Sequence, residues 1–211
     1  MIPILFKQTQ LYRFLNYCNE SRLNKSILDC GAGGSCPPLA LFAEFGYETY
    51  GIEIDDSQIE KTKKFSQKNG LNLRICKGDI RELPFEDESI SHIYSYNSIF
   101  HMQKKDIQKA VQEIKRVVKP EGMICLNFLS IYDDWYGRGE EIGKNEFLQI
   151  ERGQTVIHSY YDVMEAESYF KDMEILFKEN RIINTVYEGQ KMQQGYIDYI
   201  ARKKSYCEVL L

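Results

Sequence analysis

A glycine-rich turn between an apolar run and a helix start constrains this chain more than any other feature. Residues 26–30 predict a short buried strand, and Gly31-Ala32-Gly33-Gly34 follows it directly. Glycine lets the backbone turn sharply and lets a ligand approach main-chain atoms that a side chain would cover. Glu53 ends the next predicted strand about 20 residues later, the spacing at which a carboxylate accepts hydrogen bonds from ribose hydroxyls. The pattern predicts a strand–turn–helix unit that binds a nucleoside-containing ligand.

Strand and helix signals alternate along the rest of the chain. Apolar spacing predicts helices at 7–20, 35–46, 57–69, 107–118 and 160–170, and strands at 26–30, 47–54, 71–77, 90–96, 123–129, 175–187 and 191–201. Strands that alternate with helices form a parallel sheet with helices on both faces. The last two strands are joined by Glu188-Gly189 without a helix, so we expect the final strand to be antiparallel. The fold class predicted is α/β, with a seven-stranded, mostly parallel sheet.

No linker or repeat divides the 211 residues, so one domain is expected over residues 1–211. Its parts are a helical lead-in at 1–24, a core at 25–130, an insertion at 131–160, and a helix and strand pair at 161–211. The apolar pattern fades after Ile131, and an irregular stretch of this length is typical of a lid over a ligand. Tyr132 and Trp135 are therefore candidate substrate contacts.

Composition limits the partners and the compartment. The 27 Lys and Arg residues against 31 Asp and Glu give a net charge of −4, which excludes a basic surface for nucleic acid. The apolar runs are too short to cross a membrane, and the first residues lack the pattern of a signal peptide. The six cysteines contain no Cys-x-x-Cys pair, so we expect buried, reduced thiols, no metal site and a cytoplasmic location.

Two residues near the turn indicate which nucleoside ligand is favoured. The dinucleotide fingerprint requires glycine at position 36, where this chain has Cys36. Asp29, just before the turn, would repel a phosphate but would tolerate an ammonium group. An adenosine ligand without phosphates is therefore favoured over a nicotinamide dinucleotide, and a nicotinamide-dependent oxidoreductase is the less favoured alternative.

The segment Ile27–Ser35 resembles motif I of the class I S-adenosylmethionine-dependent methyltransferases. The likeness continues at Gly78–Ile90, Ser95–Met102 and Glu113–Gly122, and it covers about residues 25–130. It is strongest to the small-molecule branch that includes ubiquinone- and menaquinone-biosynthesis enzymes. Two positions depart from the family pattern, because Ser35 replaces a third glycine and Ser91 replaces a common aspartate.

The resemblance implies a Rossmann-like fold, S-adenosyl-L-methionine as cofactor and methyl transfer to a small-molecule acceptor. It implies a monomer or homodimer that uses neither nucleic acid nor membrane. A module that binds the cofactor without transferring a methyl group is the alternative. The implied cofactor residues are Asp29 near the methionine amino group, Gly31 and Gly33 in the turn, Glu53 at the ribose, Asp79 at the adenine amine with Ile54 and Ile80 as apolar walls, and Asn97 at the end of strand four. His101 is the candidate to orient or deprotonate the acceptor.

Overall fold

The computed structural model describes residues 9–205 except 152 and 188. Predictions for residues 1–8, Glu188 and Cys207 lie outside the described residues. The helices within this part are α1 (Thr9–Glu20), α2 (Leu39–Glu44), α3 (Asp56–Asn69), α4 (Lys104–Val117) and α5 (Val163–Glu167). The strands are β1 (Ser26–Cys30), β2 (Glu48–Glu53), β3 (Ile75–Lys77), β4 (Ile90–Ser95), β5 (Val118–Ser130), β6 (Glu140–Gly143), β7 (Glu146–Glu151), β8 (Gln154–Tyr161), β9 (Met173–Tyr187) and β10 (Gln190–Lys203). None of the described helices is long and apolar enough to cross a membrane.

The sheet of the described residues has ten strands rather than the seven expected. Its central part has the order β3-β2-β1-β4-β5-β10-β9, and β8, β7 and β6 continue from β5. The pairs among β1 to β5 are parallel, whereas β10 is antiparallel to both β5 and β9. The predicted α/β class, the mostly parallel sheet and the antiparallel final strand are confirmed. The carboxyl ends of β1, β2, β4 and β5 meet at one edge, where ligands bind in sheets of this type.

Alternating side chains place a hydrophobic core on each face of the sheet. Ile27, Tyr94 and Cys125 pack in a cluster with α1 and α2, while their neighbours Leu28 and Ile93 pack against α4 on the opposite face. Successive strand residues point to opposite faces, so these almost fully apolar strands are buried on both sides. The doubly covered sheet provides a rigid base for the residues at its carboxyl edge.

The prediction of an irregular segment after Ile131 is wrong. Strands β6, β7 and β8 form an antiparallel meander, and β8 extends the sheet by pairing parallel to the end of β5 at Leu129–Tyr160. Buried positions of the meander include the polar residues Gln149 and His158. Because polar side chains occupy these inward positions, the apolar alternation that identifies a strand is missing from the sequence.

Several local predictions are also corrected. Helix α2 begins at Leu39, after Pro38, rather than at residue 35. Helix α3 begins at Asp56, and Asp55 caps it by accepting hydrogen bonds from the backbone N–H groups of Ser57 and Gln58. The third strand is limited to Ile75–Lys77, and the predicted helix at 160–170 begins only at Val163.

The cysteines follow the prediction in part. All five in the described part of the chain are free thiols, in agreement with the expectation of reduced cysteines. Cys36 and Cys76 are exposed, however, which contradicts their assignment to the interior.

Candidate active site

The turn after β1 packs so tightly against neighbouring side chains that two of its positions require glycine. Gly31 has φ +117°, and a Cβ atom placed there would lie 2.2 Å from Ser98 Oγ. A Cβ atom on Gly33 would lie 2.5 Å from Glu53 Oε2. The turn therefore touches the end of β4 on one side and the end of β2 on the other.

Three backbone amides hold the Glu53 carboxylate at the end of β2. Gly33 N–H donates to Oε2 over 3.0 Å, and the N–H groups of Ile54 and Asp55 donate to Oε1 over 2.9 and 3.0 Å. A carboxylate has about four acceptor positions. Because Oε2 receives one of these bonds, it retains a lone pair for a further donor, and its orientation is already fixed.

Thr62 ties the turn to α3, a contact that sequence patterns did not reveal. Its hydroxyl lies 3.2 Å from the Ala32 carbonyl oxygen and 3.0 Å from that of Gly34. Thr62 is 2% exposed, and Gly34 N–H also donates to the Gln58 carbonyl. A threonine on a mostly polar helix carries no local signal for such a role.

Asp29 is a buried carboxyl group beneath the turn. It is 3% exposed, and its Oδ2 accepts a hydrogen bond of 2.8 Å from the Tyr94 hydroxyl. Burial raises the pKa of Asp29 from 3.8 to about 7, against the opposing effect of the Tyr94 hydrogen bond. Asp29 thus titrates near neutral pH in the folded protein.

Asp79 and its apolar neighbours lie on the outer part of the edge. The Asp79 carboxylate accepts hydrogen bonds from the backbone N–H and the guanidinium of Arg81, which lower its pKa. Ile54 is 62% exposed, and Ile80 packs partly against the core. The exposed Ile54 side chain leaves an apolar surface after β2, and the adenine contact of Asp79 stays a prediction.

Asn97 joins the glycine turn to a cavity. Its backbone N–H donates to Asn127 Oδ1 and its own Oδ1 accepts from Asn127 Nδ2, both over 2.7 Å. These bonds hold Asn97 at φ +56°. Its neighbour Ser98 is the residue that Gly31 approaches. The segment 97–98 is therefore shared by the turn and the cavity.

The cavity has a volume of about 330 Å³ and lies beyond the ends of β4 and β5. Its walls are Asn97, Phe100, His101, Leu129, Asp133, Trp135, Glu151, His158, Tyr160, Met192, Gln194 and Tyr196. Of the two aromatic residues predicted to contact substrate, Trp135 is in the wall, while Tyr132 is outside it and 57% exposed. The walls are largely aromatic with a few polar groups, which is typical of small-molecule sites.

Two histidines and a glutamate share one wall of the cavity. His101 follows β4, while Glu151 and His158 come from β7 and β8 of the meander. Burial lowers the pKa of His158 to about 4, and it also lowers the pKa of His101. The His158 ring is therefore neutral at pH 7. Sequence analysis identified His101 but gave no role to Glu151 or His158.

Comparison with known proteins assigns the core of the chain. A family model described as a methyltransferase domain matches residues 28–126. This segment is therefore similar to methyltransferase domains. It contains the glycine turn, Glu53, Asp79, Asn97 and His101, whereas the meander lies outside it.

The individual proteins that the chain resembles are also described as methyltransferases. The chain is 30% identical over 161 residues to a sterol 24-C-methyltransferase of Pneumocystis carinii, which covers 65% of this chain and 42% of that protein. It is 33% identical over 108 residues to the uncharacterized methyltransferase YcgJ of Bacillus subtilis, covering 51% of this chain and 42% of YcgJ. The chain thus spans less than half the length of these relatives. Among solved structures, a SAM-dependent methyltransferase from Methanosarcina mazei superposes with a TM-score of 0.73 at 22% identity, covering 90% of this chain and 97% of that one. This likeness shows that the two chains share a Rossmann-like α/β fold.

Proposed function

We propose that the chain is an S-adenosylmethionine-dependent methyltransferase that acts on a small molecule. The observation that carries the proposal is the position of the glycine turn, which touches Ser98 while the adjacent Asn97 lines the cavity. A cofactor on the turn and an acceptor in the cavity would meet at segment 97–98. This segment lies inside the methyltransferase domain.

The residues of the turn suit the parts of this cofactor. The lone pair left on Glu53 Oε2 would accept a hydrogen bond from a ribose hydroxyl. Asp29 lies beneath the turn, where its carboxylate would attract the methionine ammonium group directly or through water. Asp79, with Ile54 and Ile80, would form the adenine end. The glycines at 31 and 33 let the cofactor approach the main chain.

The protein's contribution to catalysis is alignment and exclusion of water. S-adenosylmethionine would supply a methyl group that its positively charged sulfur already activates for transfer. The aromatic walls at Trp135 and Tyr160 would hold the acceptor in line with that bond and keep water out. His101 lines the cavity, so its ring would orient the acceptor or take its proton.

The acceptor we propose is small and belongs to the chemistry of the ubiquinone- and menaquinone-biosynthesis branch. A volume of about 330 Å³ is at the lower end for ligand pockets. The net charge of −4 disfavours nucleic acid as a substrate. We further propose a cytoplasmic enzyme that is a monomer or a homodimer.

Ligand binding tests the proposal without knowledge of the acceptor. Thermal unfolding is measured with S-adenosylmethionine, S-adenosylhomocysteine, NADH and NADPH, and titration calorimetry follows for each ligand that stabilises. A ligand that binds only the folded state raises the melting temperature. We expect both adenosyl ligands to stabilise the protein and neither dinucleotide to do so. The reverse preference would refute the proposed function.

A further inference from the structure

The histidine–glutamate cluster of the cavity wall has the composition of a metal site. One nitrogen of His101, one carboxylate oxygen of Glu151 and one nitrogen of His158 lie within 4.8 Å of one another. His158 Nε2 is 3.6 Å from Glu151 Oε2. Two imidazoles and one carboxylate are a ligand set found in zinc enzymes, where a fourth position stays open.

Neighbouring hydrogen bonds fix which nitrogen of His158 carries the proton. Gln149 Nε2 donates to the carbonyl oxygens of Trp135 and Arg138 over 2.7 and 3.0 Å. These two bonds fix the orientation of the amide, so its oxygen Oε1 faces the opposite way. That oxygen lies 2.6 Å from His158 Nδ1. Since an oxygen can only accept, Nδ1 carries the hydrogen, and in the neutral ring the lone pair lies on Nε2.

Two of the candidate ligand atoms already lie near the spacing that one ion imposes on its ligands. His158 Nε2 is 3.6 Å from Glu151 Oε2, a distance too long for a direct hydrogen bond. Donor atoms of a tetrahedral zinc ion, with bonds of about 2.1 Å, are about 3.4 Å apart. The observed pair is close to that spacing.

His158 also has the outer partners that metal ligands usually have. Its ring donates to Gln149, whose oxygen also accepts a 2.9 Å hydrogen bond from the Tyr160 hydroxyl. Such contacts orient an imidazole ring and leave its other nitrogen to bind the ion.

We propose that His101, Glu151 and His158 bind one divalent transition-metal ion, with Zn²⁺ the best match to the ligands. The cluster lines the cavity, so the open coordination position faces the space proposed for the acceptor. A role in methyl transfer rests on the proposed function, whereas metal binding does not. In that role the ion would take an acceptor hydroxyl or thiol as its fourth ligand and the proton would leave to solvent. The retained lone pair would form the bond to the methyl carbon while the carbon–sulfur bond of S-adenosylmethionine breaks, and its electron pair would stay on the sulfur of the S-adenosylhomocysteine that leaves. The acceptor class is therefore a small molecule with an ionisable hydroxyl or thiol.

Metal titration of the full chain tests the site. The exposed thiols Cys36 and Cys76 would also bind zinc, so Cys36, Cys76 and Cys207 are first replaced by serine. Zn²⁺ binding is then measured by calorimetry, and Co²⁺ binding by visible absorption. The variants are Glu151→Gln, which preserves shape, and His158→Ala. Glu141→Gln is the matched control, because Glu141 is an exposed glutamate on β6 of the same meander.

We expect one Zn²⁺ per chain with a Kd in the micromolar range or tighter, and intense Co²⁺ bands typical of four-coordinate nitrogen and oxygen ligation. Affinity should fall at least tenfold in both site variants and stay unchanged in Glu141→Gln. Equal affinity in Glu151→Gln, or no binding by the parent protein, would overturn the metal site and leave a histidine–glutamate ion pair in its place. S-adenosylhomocysteine binding is measured separately without metal, so failure of the metal site is distinguishable from failure of the proposed function.

Discussion

Replacing Asp29 by asparagine should remove a pH dependence that the buried carboxyl imposes on stability. The pKa of Asp29 is raised from 3.8 to about 7, chiefly by burial. Between these values the folded state binds a proton that the unfolded state has released. Stability therefore falls as pH rises from about 4 to about 7, and the loss is complete above the folded pKa.

The size of the effect follows from the two pKa values. The interval from 3.8 to about 7 is about three pH units, and each is worth about 1.36 kcal/mol, so the carboxyl costs about 4 kcal/mol above pH 7. Asparagine keeps an oxygen that accepts the hydrogen bond from the Tyr94 hydroxyl, and its side chain does not titrate. Its extra N–H₂ group adds a constant offset, but it does not alter the slope. The free energy of unfolding of Asp29→Asn minus that of the parent should rise by about 4 kcal/mol between pH 4 and pH 8.

Urea unfolding at several pH values measures this difference, with the m-values compared to verify that the same surface unfolds. Asp79→Asn is the control with the opposite sign. Arg81 lowers the pKa of Asp79, so that carboxylate stabilises the fold above its unfolded pKa and loses this effect as pH falls. A difference for Asp29→Asn that stays flat across the pH range would show that Asp29 is ionised in the fold, which would refute the reasoning from burial.

Three further predictions concern the turn and the meander. Glu53→Ala should weaken S-adenosylhomocysteine binding at least tenfold, because a charge-assisted hydrogen bond contributes about 1.5–3 kcal/mol. Titration calorimetry measures this affinity, with Glu60→Ala as the control. Unchanged affinity would mean that Glu53 only holds the turn in place. Thr62→Val should lower the free energy of unfolding by about 1–3 kcal/mol, since it removes the hydroxyl that contacts the Ala32 and Gly34 carbonyls; a urea midpoint equal to that of the parent would contradict the contact. The segment 131–160 should close over the cavity, so S-adenosylhomocysteine should slow trypsin cleavage after Arg138 and Lys144. Equal cleavage rates with and without it would exclude closure by that ligand.

The strand, the glycine turn and the carboxylate of the candidate site could be predicted from the sequence, because each has a local sequence signal. The strand at 26–30, the glycines at 31 and 33 and the carboxylate at 53 follow one another along the chain, and parallel strands bring their carboxyl ends to one edge. The spacing of these residues therefore predicted both the fold class and the neighbourhood of Gly33 and Glu53.

The residues of the cavity could not be predicted from the sequence in the same way, because the pairing of strands brings together residues that are not adjacent in the chain. Glu151 and His158 come together across the β7–β8 hairpin, where Glu151 pairs with Gln154 and Phe147 with His158. The buried polar residues Gln149 and His158 also interrupt the apolar alternation, so the sequence of these strands predicts a loop. Asn127 illustrates the same limit, since its bonds to Asn97 span two neighbouring strands and no spacing rule connects them.

The cavity extends well beyond the part of the chain that matches the methyltransferase-domain model. Nine of the twelve wall residues in the described chain come after residue 126, where the match ends. Under the proposed function, substitutions in the meander and in β10 would change which molecule is accepted while the residues proposed for the adenosyl ligand stay unchanged. Acceptor choice and cofactor affinity would then evolve separately, and exchange of segment 131–161 between relatives would offer a direct route to new specificities.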